Sequence, residues 1–113
     1  MAEEKQSPHP LASPQPAEAL IGYQEGSIVS RSLVAASGGN VTLFAFDEAE
    51  ELSEHTTPHD ALVHVLHGRA LVTVGDVGHE VESGELLLLP GGVPHALEAL
   101  SPFKMLLVML KQA

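Results

Sequence analysis

From Ser27 onward the chain alternates short apolar runs with breaks made of glycine, proline, serine and acidic residues. Residues 27–36 (SIVSRSLVAA) are rich in β-branched side chains and predict a strand. Residues 37–40 (SGGN) predict a turn, and 41–47 (VTLFAFD) a second strand. The stretch holding Asp47, Glu48, Glu50, Glu51 and Glu54 predicts a solvated strand edge or loop. Residues 55–60 (HTTPHD) form a polar segment stiffened by Pro58. Two strands follow, 61–67 and 69–74, parted by Gly68. Gly75-Asp76-Val77-Gly78 signals a tight hairpin that returns along 79–82. Residues 86–89 (LLLL) are apolar on both parities, which predicts a strand covered on both faces. Pro90, Gly91 and Gly92 turn the chain. Residues 95–100 then alternate, which sends Glu98 to water and His95 and Leu97 inward. Residues 103–110 (FKMLLVML) read as a last strand. A helix over 103–112 also fits, but every neighbouring segment is a strand of similar length. Eight or nine short strands, with turns about every 8–12 residues, predict an all-β sandwich or barrel.

The segment before these strands differs. Residues 1–16 carry Pro8, Pro10, Pro14 and Pro16 and little to bury. They predict a flexible, proline-rich tail ahead of a single domain over 17–113. Residues 17–24 are mildly apolar and fit helix or strand. A chain of 113 residues suffices for one domain with a real core. A net charge of −10 repels phosphates, which argues against nucleic acid and anionic membranes as partners. The absence of cysteine excludes disulfides, thiolate catalysis and cysteine-ligated metals, and fits a reducing cytoplasm. No basic flank and apolar run marks a secretory signal, and the run 105–110 is far too short to span a bilayer. The expected location is therefore cytoplasmic. Seven histidines stand against three aspartates, and His55, His59, His64 and His67 are clustered. Imidazoles at that density point to chemistry in this region.

Two spaced sets of residues extend the picture. One is Gly84, five residues, Pro90, one residue, Gly92, two residues, His95. The other is Ala49, five residues, His55, Thr56, Thr57, three residues, Ala61, six residues, Gly68. Residues 69–83 separate them. With these two motifs the chain resembles the cupin superfamily over about residues 41–110. The resemblance implies an antiparallel double-stranded β-helix, the cupin jelly-roll barrel. It also implies a divalent metal ion (Mn, Fe, Ni, Cu or Zn) on three histidines and a glutamate. Residue by residue, His55 and His95 carry over. Thr57 stands at the second histidine and Ala61 at the glutamate, and neither replaces the lost ligand. Ala49 replaces a glycine, and Ala99 an asparagine. His59, four residues past His55, is the candidate third ligand, with Asp60 beside it to bind the metal or orient an imidazole. The expected site is thus His55, His59 and His95. A solvent-facing His59 is the alternative reading. His64 shares a parity with Leu62 and Leu66 and is expected on the outer face; His67, His79 and Tyr23 are expected in surface or packing roles.

Two functions follow. One is a metal-dependent cupin that binds or transforms a small molecule, with dioxygenase, isomerase or decarboxylase chemistry left open by the resemblance. The other is a small-molecule-binding module that has lost its metal, with His55 and His95 as hydrogen-bonding groups. The last strand also predicts a homodimer. Phe103, Met105, Leu107 and Met109 fall on one parity and Leu106, Val108 and Leu110 on the other, and a small barrel has only one inside.

Overall fold

The computed structural model describes residues 9–111. Residues 1–8 of the expected tail lie outside the described residues. Two short 3-10 turns, Pro10–Ala12 and Ala17–Leu20, precede nine strands. The strands are β1 (Ile28–Ala36), β2 (Gly39–Phe46), β3 (Glu51–His55), β4 (Asp60–His67), β5 (Arg69–Val74), β6 (Val77–Glu82), β7 (Leu86–Leu89), β8 (His95–Ala99) and β9 (Phe103–Leu110). They form two sheets, in the orders β1-β2-β9-β4-β7 and β3-β8-β5-β6. All strand pairs are antiparallel. The fold is an all-β antiparallel jelly-roll barrel: the strand pattern predicts the sandwich-or-barrel class, and the cupin resemblance implies the jelly roll.

The turn residues set the corners. Val74 pairs with Val77, so Gly75 and Asp76 make a two-residue hairpin, with Gly75 at φ +60°. The acidic stretch contributes β3, an edge strand of the four-stranded sheet whose carboxylates reach water. Asp47 closes the end of β2. Its carboxylate accepts the backbone N–H groups of Gly26 at 2.6 Å and Glu48 at 2.9 Å. These bonds hold its pKa below the ordinary value. The folded state therefore binds this proton less readily than the unfolded chain. The stabilisation is present above the unfolded value of about 3.9 and disappears as pH falls through the lower folded value. Acid denaturation of Asp47→Asn should show it: the gap between wild type and variant at pH 7 should shrink at the acid end.

The inward rows of both sheets make the core. Phe46, Val63, Val65, Val72, Phe103 and Met105 are fully buried, and Phe46 stacks on Phe103 with ring centroids 4.5 Å apart. A second apolar cluster lies on the outer face of the five-stranded sheet. There Leu20 and Ile21 cover Leu33, Leu43, Ala45 and Leu106. The chain thus buries part of both parities of β9. This corrects the expectation that a barrel leaves one whole row uncovered. A second correction concerns β7. It is an edge strand, and Leu86 and Leu88 are 60% and 50% exposed rather than covered.

One backbone position carries strain. Ala49 has φ +71°, in the left-handed region that L-residues with a Cβ avoid. The bend is required, because Ala49 N–H donates to the Ala99 carbonyl and the Glu50 carbonyl accepts from Ala99 N–H, which launches β3 along β8. Ala49→Gly relieves about 1–2 kcal/mol of strain and costs about 0.4–1 kcal/mol of unfolded-chain entropy. A net gain of roughly 0.5–1 kcal/mol, read as a higher denaturant midpoint with unchanged m-value, is the expected result.

Candidate metal centre

β3 and β8 pair so that His55 lies directly opposite His95. Upstream, Leu52 opposes Leu97. Three steps along β3 therefore match two along β8, which is a β-bulge. Without it, strict alternation from Leu52 would bring Glu54 opposite His95 instead of His55. The bulge is what turns an imidazole into the barrel. His95 opens β8 just past Pro94 and is 5% exposed; His55 sits nearer the mouth and is exposed.

The two rings meet edge to face, with centroids 4.3 Å apart and planes at 73°. Their Nε2 atoms are 3.1 Å apart. His55 Nδ1 is 2.9 Å from the Ser53 carbonyl and His95 Nδ1 is 3.2 Å from the Val93 carbonyl. A carbonyl only accepts, so each Nδ1 carries its ring's proton. In two neutral rings both Nε2 atoms then present lone pairs to each other. Burial holds the His95 pKa below the ordinary value, against the Val93 carbonyl, which raises it, and with the help of nearby His55, which lowers it. With both lone pairs turned inward the pair could be shared by a cation, and with one Nε2 protonated the same 3.1 Å contact is an N–H···N hydrogen bond. The distance limits the cation's geometry. A linear two-coordinate ion with bonds of about 2.0–2.1 Å would need nitrogens about 4 Å apart. His55 and His95 would therefore hold an ion as neighbouring ligands rather than opposed ones.

The other expected residues are placed as follows. Asp60 Oδ1 accepts Gly91 N–H at 2.8 Å, and the Thr57 carbonyl accepts Gly92 N–H at 2.8 Å. These bonds tie the His55–Asp60 segment to the turn before His95. A Cβ on Gly91 would press on the Pro58 carbonyl, and Gly92 has φ +83°, so both turn positions require glycine. Asp60 thus braces the turn. His59 is half-buried beside this brace and is not part of the cavity wall. Thr57 donates its hydroxyl proton to the His59 carbonyl at 3.1 Å. Among the described residues no group of three or more His, Cys, Asp and Glu side chains is placed to hold a metal ion. His64 faces outward on β4 opposite Leu86 and Leu106, and His67 lies 2.6 Å from the Tyr23 hydroxyl.

Behind the histidine pair is a cavity of about 80 Å³. Its wall is formed by Phe44, Leu52, Leu89, Leu97 and Leu107, with Ala61 and Thr57 near the mouth and Met105 and Met109 among the strands. Among the described residues no charged side chain lines it. A wider groove of about 210 Å³ runs over the outer face of the four-stranded sheet between Glu51 and Glu98, and neither histidine borders it.

The comparisons agree with this architecture. The family model of the cupin domain matches residues 42–109, and the chain belongs to the cupin family. A conserved protein of unknown function from Streptococcus pyogenes is 31% identical, over 100% of this chain and 97% of that one, with a TM-score of 0.87. A cupin superfamily protein from Desulfitobacterium hafniense is 29% identical, over 98% and 100% of the two chains, with a TM-score of 0.86. A cupin 2 conserved barrel domain protein from Leptotrichia buccalis is 41% identical over 83% of this chain and 46% of that one, with a TM-score of 0.80. A search of curated proteins found no match. Among the described residues no helix is long and apolar enough to cross a membrane.

Proposed function

We propose that this protein is a cupin that binds a small molecule at a metal ion held by His55 and His95, with the apolar part of the ligand in the barrel cavity. The observation that carries the reading is the histidine pair itself, with each Nδ1 within reach of a backbone carbonyl and the two Nε2 atoms converging at 3.1 Å. A metal with open positions supplies Lewis acidity toward a carbonyl, a carboxylate or water. The chain's own part is to aim two imidazoles, to keep charged side chains out of the cavity and to seat a ligand tip small enough for about 80 Å³. A second reading is favoured because, among the described residues, no third His, Asp or Glu joins the pair. In it the two imidazoles bond the ligand directly and no metal takes part.

Metal analysis of protein made without a histidine tag, after exposure to Mn, Fe, Ni, Cu and Zn, separates the two. One equivalent of metal in wild type and none in His55→Ala or His95→Ala is the expected result, since the pair has no ligand to spare. His59→Ala tests the third histidine: lost metal with unchanged melting makes it a ligand, and unchanged occupancy removes it from the set. Binding should weaken as the solution is acidified, because a protonated imidazole cannot coordinate. No metal under any of these conditions gives the pair to the direct-binding reading.

The cytoplasm is the proposed location, in keeping with a chain without cysteine. A homodimer is the proposed assembly. Supporting it, Leu86, Leu88 and Leu110 are 60%, 50% and 56% exposed on the outer face of the five-stranded sheet, around half-buried Leu62 and Val108. Register makes these residues one patch, because Leu62 pairs with both Leu88 and Val108. Such a patch is what a two-fold partner covers.

A further inference from the structure

The cavity holds a set of donors that the two-histidine reading leaves unused. Besides His55 and His95, the lining side chains with a lone pair to offer a metal are Thr57, Met105 and Met109. Thr57 is a neutral hydroxyl whose proton is committed to the His59 carbonyl. Among the described residues no carboxylate lines the wall, so a hard cation finds none of the anionic oxygen ligands it favours. The two methionine sulfurs are soft, and soft thioethers with imidazoles suit monovalent copper.

The register places one of them. Met109 pairs directly with Ala61 across β4 and β9, at the end of β4 that the His55–Asp60 segment feeds. Cross-strand partners have Cβ atoms about 4.5–5.5 Å apart, and the Ala61 methyl leaves the space beside it for a longer neighbour. Met105 is four residues deeper along β9, opposite Val65, roughly 13 Å further into the barrel along the strand. Because the nitrogens stand 3.1 Å apart, an ion shared by both would not be linear and would have a side open to a third ligand from the same cavity. Met109 is the donor at that end of the cavity.

We infer that the His55–His95 pair, completed by the Met109 thioether, is a binding site for monovalent copper. The inference rests on the metal-holding reading of the pair and names the metal and its third ligand. It involves binding alone, with no change of oxidation state.

The test is an anaerobic titration of tag-free apoprotein with Cu(I) against a coloured Cu(I) chelator, with Zn(II) and Mn(II) titrated in parallel. The expected result is one tightly held Cu(I). Met109→Leu, close to isosteric, should weaken it at least about tenfold, the lower end of what loss of a mere ligand-orienting neighbour costs. Met105→Leu should leave the affinity within about threefold of wild type, and Zn(II) affinity should not change in either variant. X-ray absorption of copper-loaded wild type should contain a sulfur scatterer, a readout that requires no variant to fold. Unchanged Cu(I) affinity in Met109→Leu, or a copper spectrum with nitrogen and oxygen neighbours only, overturns the inference. So does a dominant effect of Met105→Leu. Tight Zn(II) or Mn(II) binding without Cu(I) binding overturns the inference alone and leaves the histidine reading standing, whereas no binding of any ion removes the reading beneath it.

Discussion

Met105→Glu should yield no folded protein, while Leu88→Glu should yield a folded monomer. Met105 is 1% exposed and sits between Phe44 on β2 and Val65 on β4. A glutamate there has no charged partner in the core. Keeping it neutral at pH 7 costs about 3.7 kcal/mol, the distance from its ordinary value near 4.3 at about 1.36 kcal/mol per unit. Its unbonded carboxyl adds about 1–3 kcal/mol. Together these approach the whole stability of a small domain, about 5–15 kcal/mol. Leu88 is 50% exposed on an edge strand, where a carboxylate reaches water and the fold loses little, about 0.5 kcal/mol or less. At a two-fold interface the same charge is forced out of water and against its own copy, so association is what fails. Circular dichroism melts and sedimentation read the two outcomes. A folded Met105→Glu would contradict the inward assignment of its row, and a monomeric wild type at micromolar concentration would dispose of the dimer. Leu106 is the poorer interface probe, because it already packs against the cluster of Ile21, Leu33, Leu43 and Ala45 in its own chain.

Gly68→Ala should be the most damaging single-methyl change. Gly68 has φ +80°, and a Cβ there would run into the Pro102 carbonyl oxygen and the backbone of Phe103. Neither can yield cheaply, because Phe103 opens β9 and is fully buried against Phe46. Gly84 is the matched control. It has φ +91°, but open space surrounds the position a Cβ would take. Gly84→Ala should therefore cost only the backbone term, about 1–2 kcal/mol, and Gly68→Ala about 3 kcal/mol or more. At roughly 4–8 °C per kcal/mol for a small domain, the two melting temperatures should differ by several degrees. Equal losses would show that the close approach to Pro102 relaxes at no cost.

The elements were readable because each strand's alternation and each Gly/Pro break are local signals. Gly84, Pro90, Gly92 and His95 fix a turn by chemistry that needs no partner to be recognised. What the local pattern could not carry is strand order. Leu86–Leu89 looks like a buried strand because all four residues are apolar, yet its place at a sheet edge exposes two of them. The cover that Leu20 and Ile21 give the outer sheet likewise depends on where a 3-10 turn lands. At the site, His95 was legible from parity. His55 was identified by motif spacing, but its inward aim depends on a bulge that nothing in residues 51–55 announces. Met109 appeared in the sequence only as one of a row of core or interface residues, since its neighbour Ala61 is set by register across two strands far apart in the chain.

The placement of β9 has a consequence for how the molecule comes into being. It lies at the middle of the five-stranded sheet, between β2 and β4, and it is synthesised after both of them and after every other strand of the described residues. Until Phe103–Leu110 has emerged, β2 and β4 each present an open backbone edge, and Phe46, Val63 and Val65 have lost their packing partners on Phe103 and Met105. The nascent chain therefore cannot mature strand by strand on the ribosome. It must wait with sticky edges exposed and then close its sheet by inserting one strand between two that are already made, a slow, long-range step and the moment of greatest exposure to aggregation.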